Sequence, residues 1–452
     1  MILEVKELTR LFSQYKGAAT DQITIDGIMT DTRKTAKQSL FVPIVGENFD
    51  AHEFIGEAIK QGAVAALWQN DRPLPKLVPT DFPVFFVEDT TKALQDLASY
   101  YLEEVKPVVI GVTGSNGKTT TKDMVASVLA TRFVTHKTAG NFNNHIGLPL
   151  TVLSMEKETE AVVLEMGMDR AGEIAVLSKI AHPDHAIITN IGESHIENLG
   201  SREAIAQAKL EITEGLSESG LLIIDGDEPL LELKTQEKQT ISCGFKEQAD
   251  YVAVIEEMTD DMSKFTIGQH HYQLPLAGKH NVKNASFVIA LAERLELTPA
   301  EIQEGFQKLQ MSAMRFEKHE GHNGSLIIND AYNASPTSMK AIIEVIRDLT
   351  SKSKKVLVLG DMFELGEHSR VLHASVAAAI DENIHTVFTI GEHSEEISKA
   401  LRDHHAEIET HHYNDKQALS HHVRSLLTTD TVVLIKASRG MKLEELLTGL
   451  VD

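Results

Sequence analysis

The stretch Val108-Val-Ile-Gly-Val-Thr-Gly-Ser-Asn-Gly-Lys-Thr-Thr-Thr121 constrains the fold more than any other. Val108 to Val112 is an apolar run of strand length, and the apolar positions Met124, Val125, Val128 and Leu129 beyond the loop recur at helical spacing. A strand, a glycine loop and a helix N-terminus form an anion cradle, because backbone N–H groups and the helix dipole point at phosphate. Lys118 adds a point charge for the outer phosphates and Thr119 a hydroxyl for Mg²⁺. The usual spacing G-x-x-x-x-G-K-[ST] asks for Gly at 112, where Val112 stands between Gly111 and Gly114. Thr119, Thr120 and Thr121 are poor helix openers, since β-branched residues lose rotamer freedom there; local rules break where function demands it. The bland alternative is an ordinary glycine turn, which the strand–loop–helix context disfavours.

From 107 to 312, apolar runs alternate with helical patterns, which predicts a mostly parallel sheet with helices on both faces. Ligands in such sheets collect beyond the carboxyl ends of the strands. Two further runs deliver polar residues there: Ala161-Val-Val-Leu-Glu165 and Ala186 to His195. A charge such as Glu165, closing an apolar run, faces a cation, a cavity or an exposed strand end. His195 reads equally as a loop histidine. Arg202 to Leu216 is patterned as one amphipathic helix with Ala204, Ile205, Ala208 and Ile212 on its apolar stripe. Lys209 lies on that stripe, so it either snorkels to water or has an inward task. Asn281 and Asn284 share a helical face, suited to capping or to recognition of a nucleotide base.

Residues 1–106 read as a small α/β unit with strands at 40–44 and 84–87 and helices at 54–61 and 91–104. Asp31-Thr-Arg33 and Asp50-Ala-His52 are turns or ligand loops, and taken alone they read as turns. Lys106-Pro107 marks a boundary. Residues 313–452 form a second alternating unit, with strands at 325–328, 355–359, 386–390 and 431–435 that run into polar or glycine loops. The His pairs 404–405, 411–412 and 421–422 read as surface residues rather than metal ligands, because adjacent histidines diverge and no Cys accompanies them. At 452 residues several domains are expected. A net charge of −23 argues against a nucleic-acid partner. Cys243 alone cannot form an internal disulfide, which fits a reducing cytoplasm, and neither a signal peptide nor an apolar run of membrane-spanning length is present.

The motifs Gly111-Val-Thr-Gly-Ser-Asn-Gly-Lys-Thr-Thr120, Gly140-Asn-Phe-Asn-Asn144, Glu165-Met-Gly167, Ala208-Lys-Leu-Glu211, His280-Asn-Val-Lys-Asn284, Met314-Arg-Phe-Glu317, Asp330-Ala-Tyr-Asn-Ala334 and Leu359-Gly-Asp-Met-Phe-Glu-Leu-Gly366 stand in an order that resembles the Mur ligases, ATP-dependent amide-forming enzymes of peptidoglycan assembly. The resemblance spans the chain. It implies an α/β, three-domain architecture: 1–106 for the UDP-muramoyl substrate, a central P-loop ATPase domain over 107–312, and a Rossmann-like domain over 313–452. The last two motifs look like the member that joins D-alanyl-D-alanine to UDP-N-acetylmuramoyl-tripeptide; a sister amide ligase, an NTPase switch and a non-catalytic nucleotide-binding scaffold are the alternatives. Further implications are ATP and Mg²⁺ as cofactors, a cytoplasmic monomer, and no membrane insertion. Gly114, Ser115, Asn116, Gly117, Lys118, Thr119 and Thr120 would hold ATP phosphates, and Asn281, Asn284, Arg315 and Asp330 the rest of the nucleotide. Thr119, Glu165, His195 and Lys209 would serve magnesium, Lys209 as a carbamate. Asp31, Arg33, Asn143 and Asn144 would meet the muramoyl substrate, and Tyr332, Asn333 and Glu364 the dipeptide. Asn329 stands where an Asp pair is often seen, and Asp50-Ala-His52 replaces an expected Asp-Gly-His.

Overall fold

The computed structural model describes residues 3–232, 239–405 and 407–451. Its described residues form three large sheets and a two-stranded ribbon. In the first sheet the strands run in the order Tyr15–Lys16, Val84–Val87, Ala63–Gln69, Ser39–Phe41, Gly27–Met29. All pairs are parallel except the first. The run at 40–44 is thus shorter as a strand than expected. The helix Thr90–Val105 opens on Asp89, whose carboxylate accepts from the N–H groups of Thr91 and Lys92, and it closes at Lys106 in the left-handed region. Its far face docks on the next unit: Gln95 donates to the His145 carbonyl, Ser99 to that of Ile180, and Tyr101 to that of Met155.

The second sheet holds nine strands, in the order His270–Leu274, Ser263–Ile267, Tyr251–Met258, Gln239–Gly244, Leu221–Asp225, His185–Ile188, Val108–Thr113, Ala161–Glu165, Thr135–Lys137. The phosphate-loop strand is therefore interior, flanked by the strands that end near Glu165 and Asn190. The antiparallel meander at 251–274 is an addition to the expected parallel sheet. Ser263, Phe265 and Ile267 alternate inward, as a one-sided strand requires. The predicted helix 202–216 ends as an α-helix at Leu210, and Glu211–Glu214 continues as a 3-10 turn. Helix Lys279–Arg294 packs on the helix Lys118–Leu129 that leaves the phosphate loop.

The third sheet orders its strands Glu317–Gly321, Ser325–Asn329, Thr431–Lys436, Lys354–Gly360, Thr386–Ile390, Glu409–Tyr413, all parallel save the first. Chain order reverses beside Thr431–Lys436, and a crevice opens outside the strand ends there. The connection into this unit is tied down where Asp123, on the phosphate-loop helix, accepts from the N–H and hydroxyl of Ser312. The His pairs depart from the surface reading. His404 and His421 are exposed, but His405, His411, His412 and His422 are half-buried, and His412 bonds Thr389.

Candidate active site

The apolar strand carries its inward pattern through Val112 and Thr113, both fully buried. The turn therefore begins two residues late, at Gly114, and Gly111 stays inside the strand, which explains the Val at 112. Gly114 has φ +146°, and a Cβ there would lie 1.8 Å from Thr189 Oγ1; Gly117 has φ +78°. Both positions demand glycine, one for approach and conformation and one for conformation. A neighbouring loop braces the turn: the Asn116 N–H donates to Asn190 Oδ1, the Gly192 N–H to Ser115 Oγ, and Thr189 Oγ1 to the Asn116 carbonyl. Thr121 is the first N–H to close onto this turn, donating to the Gly117 carbonyl. Lys118, Thr119 and Thr120, whose amides precede it, line a cavity at the helix start, as an anion site needs. Lys118 Nζ folds back on the carbonyls of Gly114 (2.8 Å) and Ser115 (3.3 Å). Loss of solvent pushes its pKa down; Glu165 opposes that and Arg315 adds to it.

Glu165 ends the strand next to the phosphate-loop strand, in register with Val112. Its Oε1 accepts from Asn143 Nδ2 at 3.0 Å, while Oε2 is buried with no partner. A buried carboxylate oxygen left open beside a phosphate loop suits a cation with oxygen ligands. Lys209 faces inward and is 2% exposed. Burial, reinforced by the charge of Lys118, drives its amine far below the usual lysine range. No carboxylate pairs with it among the described residues. His195 and Glu364 both sit in the left-handed region, at φ +64° and +63°. His195 Nδ1 lies 2.5 Å from Glu364 Oε2, at an angle poor for a hydrogen bond, and 3.3 Å from Asp169 Oδ1. Contact with His195 holds the Glu364 carboxyl below its ordinary range. Asp169, His195 and Glu364 bring donor atoms within 4.8 Å of one another.

A cavity of about 390 Å³ gathers Ser115 through Thr120, Asn281, Asn284, Arg315 and Asp330, all expected at the nucleotide. Asn281 Nδ2 donates to the Ala277 carbonyl, and the Asn284 amide stands about 3 Å from where a Gly117 Cβ would lie. Asp330 accepts from the Phe316 N–H (3.0 Å) and from Lys436 Nζ (2.6 Å), and Arg315 lies 4.3 Å over the Tyr332 ring and 3.4 Å from Thr119 Oγ1. A second cavity of about 200 Å³ is walled by His195, Tyr332, Asn333 and Glu364, with Phe363 and Arg439; Asn333 borders both. Asn144 instead lines a cleft between the first two units, and its Oδ1 accepts from the Ile146 and Gly147 amides.

Asp31 and Arg33 are not drawn into these cavities. They form a bidentate pair (2.8 and 2.9 Å), and the Arg33 side chain is 86% exposed. Asp50 likewise serves its own unit, accepting from His52 and pairing with Arg72. Sequence reasoning passed over Lys436, Asn190, Asp169 and Ser335, whose Oγ donates to Asn116 Oδ1 at 2.9 Å. Lys436 carried a usable signal: like Glu165, it is a charge closing an apolar strand. Ser335 and Asp169 carried none, since tertiary docking alone makes them neighbours of the site.

Models of one family match along the chain: "Mur ligase family, catalytic domain" over 24–102, "Mur ligase middle domain" over 112–292, and "Mur ligase, glutamate ligase domain" over 314–439. The UDP-N-acetylmuramoyl-tripeptide–D-alanyl-D-alanine ligase of Bacillus subtilis is 47% identical, across 96% of this chain and 94% of the relative. That of Escherichia coli is 35% identical, across 95% and 94%. MurF from Acinetobacter baumannii superposes with a TM-score of 0.87 at 29% identity, over 99% of this chain and 98% of the other. MurF ligase from Thermotoga maritima in complex with ADP gives 0.80 at 29% identity, over 94% and 96%. Relatives of this similarity along nearly their whole length, with the same fold and the same family models in the same order, settle the affiliation: the chain belongs to the Mur ligase family.

Proposed function

We propose that this chain is an ATP-dependent ligase that joins D-alanyl-D-alanine to UDP-N-acetylmuramoyl-tripeptide, working as a cytoplasmic monomer with divisions near residues 106 and 312. The names of its relatives support the substrates, and among the described residues no helix is long and apolar enough to cross a membrane. The observation that carries the chemistry is the pair of cavities meeting at Asn333, one behind the phosphate loop and one beside Glu364 and Arg439.

A carboxylate does not condense with an amine at neutral pH, because oxide would have to leave. Transfer of the γ-phosphoryl of ATP to the terminal carboxylate of the tripeptide releases ADP and gives an acyl phosphate. The free amine of D-alanyl-D-alanine attacks its carbonyl carbon, the C–O bond to phosphate breaks, and the ammonium proton passes to solvent or base. Such transfers ask the protein mainly for position and charge neutralisation. The loop amides and Lys118 would hold the phosphates. Asn281, Asn284, Arg315 and the Asp330–Lys436 pair would fix the nucleoside end. Glu165, Thr119, His195 and Lys209 as its carbamate would hold Mg²⁺, which when bound neutralises phosphate charge. Burial lowers the pKa of Lys209 and so favours its uncharged amine, the form that would add CO₂ and release one proton. Asn143 and Asn144 would orient the muramoyl substrate, with Asp31 and Arg33 at its uridine end. Tyr332, Asn333 and Glu364 would line the dipeptide site, where Arg439 offers a guanidinium to the dipeptide carboxylate.

The test is mass spectrometry of products after incubation with ATP, Mg²⁺, D-alanyl-D-alanine and UDP-muramoyl tripeptides ending in lysine or in diaminopimelate. One of them should gain the dipeptide with release of ADP and phosphate. ADP release without joining would refute the proposal, and unchanged product formation by Lys118→Ala would refute the role given to that lysine.

A further inference from the structure

Among the described residues, one further group of metal-ligating side chains converges outside the site described above. Glu409 and His411 stand two residues apart on the edge strand Glu409–Tyr413, so they share a face. His422 comes from the helix Lys416–Ser425. Donor atoms of all three lie within 4.8 Å of one another. His411 Nε2 already meets Glu409 Oε1 at 2.8 Å. The rings of His411 and His422 are 4.6 Å apart at 62°. Both rest on Phe388, which is fully buried: His411 stacks on it at 19° and His422 meets it edge-on at 74°. The imidazoles are therefore held by packing, whereas the Glu409 side chain, 57% exposed, is free to adjust.

His422 has a further restraint. Its Nδ1 lies 2.6 Å from the Tyr413 hydroxyl. When the Nδ1–H donates to that oxygen, the lone pair is fixed on Nε2, which is the outer-sphere arrangement that orients histidines at metal centres. A tetrahedral site with bonds of about 2.1 Å has ligands about 3.4 Å apart, a spacing comparable with the separations of under 4.8 Å seen here. Two imidazoles and one carboxylate suit Zn²⁺ and its neighbours Ni²⁺ and Cu²⁺, not Mg²⁺. Lys354 also acts on Glu409, and its positive charge opposes binding.

We propose that Glu409, His411 and His422 form a surface site for a borderline divalent transition-metal ion, typified by Zn²⁺, with solvent in the remaining position. The ion would staple the edge strand of the third sheet to the helix beside it, away from the phosphate loop.

The experiment is a calorimetric titration of the tag-free, chelator-stripped full-length protein with ZnCl₂ alone, paired with thermal unfolding at each zinc level. The Asp169–His195–Glu364 group also offers donors, so the reading is the difference between wild type and variants at this one cluster. Wild type should show one more bound zinc than His411→Asn, His422→Asn or the exposed Glu409→Gln. Tyr413→Phe should keep that site but weaken it about tenfold or more. His421→Asn, exposed and outside the cluster, should bind as wild type does. Equal stoichiometry and equal zinc-dependent shifts in wild type and Glu409→Gln, His411→Asn and His422→Asn would overturn the proposal, as would loss of the extra zinc in His421→Asn alone. Glu409→Gln keeps the test decisive should a histidine variant fail to fold.

Discussion

Replacing Glu165 with Gln separates a structural carboxylate from one kept for a cation. In the ligand-free enzyme two terms oppose each other. The buried Oε2 has no partner, and an unmet buried polar atom costs about 1–3 kcal/mol, more when charged. Against this, Glu165 stabilises the charge of Lys118 without touching it, and opposite charges near each other at an effective dielectric near 20 attract by roughly a few kcal/mol. Gln keeps an oxygen for Asn143, puts a neutral unpartnered amide where a charged unpartnered oxygen stood, and removes the attraction to Lys118, so a smaller penalty offsets the lost attraction. The ligand-free variant should therefore unfold within about 1 kcal/mol of wild type, far from the ~3–5 kcal/mol lost when a true buried ion pair is broken. Ligation should fall about 10²–10³-fold, the scale of one preorganised electrostatic contact. The thermal shift produced by Mg²⁺ with a non-hydrolysable nucleotide should shrink. Urea unfolding in EDTA, thermal shift with and without Mg²⁺, and product formation measure the three. A variant that unfolds more easily by 4 kcal/mol would make Glu165 a structural residue. Wild-type turnover would remove it from the site altogether.

Lys209→Ala should lose about 10³-fold or more in ligation, and a short carboxylate such as propionate should restore part of it by standing in for the carbamate; no rescue at any concentration would mean that the lysine acts as an amine. Asp330→Ala leaves Lys436, 4% exposed, with backbone carbonyls only, and should cost about 3 kcal/mol. Asp330→Ala/Lys436→Met should regain most of that stability in urea melts yet still bind ATP weakly; full nucleotide affinity in the double variant would refute a binding role. Burial takes His280 from an ordinary 6.5 to about 4. The unfolded chain then holds the extra proton between those values, so stability is complete above pH 6.5 and falls as pH drops towards 4. The full shift corresponds to about 3 kcal/mol, less here because the ring keeps some solvent contact. His280→Asn should flatten that slope in urea midpoints taken across the window, and an unchanged slope would assign the pH dependence elsewhere.

What could be read from the chain follows the range of the interactions. The phosphate loop was legible because its requirements are local: an apolar strand, glycines where φ turns positive, and a helix start within ten residues. Glu165 and Lys209 were legible as misfits, a charge in an apolar run and a cation on an apolar stripe. Lys436 was the same kind of misfit and went unmarked. The 251–274 meander shows its period in Ser263, Phe265 and Ile267, with Lys264 and Thr266 between them, and it went unmarked. The helix from Arg202 was drawn too long, because the pattern of Ile212 and Leu216 continues after the backbone tightens. His411, His412 and His422 escaped because their partners, Phe388 and Thr389, come from another strand, and pairing across a parallel sheet leaves no trace in local spacing. His195 and Glu364 were each marked, but nothing local said they would meet.

That meeting bears on how the enzyme would turn over. Among the described residues, the contacts joining the phosphate-loop unit to the third unit around the cavity include a polar set: Ser335 to Asn116, Thr337 to Glu193 at 2.7 Å, Arg315 to Thr119, His195 to Glu364, and the Glu197 N–H to the Glu364 carbonyl; beside them Ile196 and Ala277 pack on the core of the third unit. The Thr337, Glu193 and Glu364 ends are open to solvent. Hydrogen bonds of this kind contribute about 0.5–1.5 kcal/mol each, and exposed ion pairs less. Their sum is a few kcal/mol, comparable with what a nucleotide bound at saturating concentration adds. On the cavity side, the polar contacts thus hold the two units by an amount that substrates can tip either way. Strong apolar docking would trap product, and no docking would leave the acyl phosphate open to water. A seam of weak polar contacts around a shared cavity permits both closure and release.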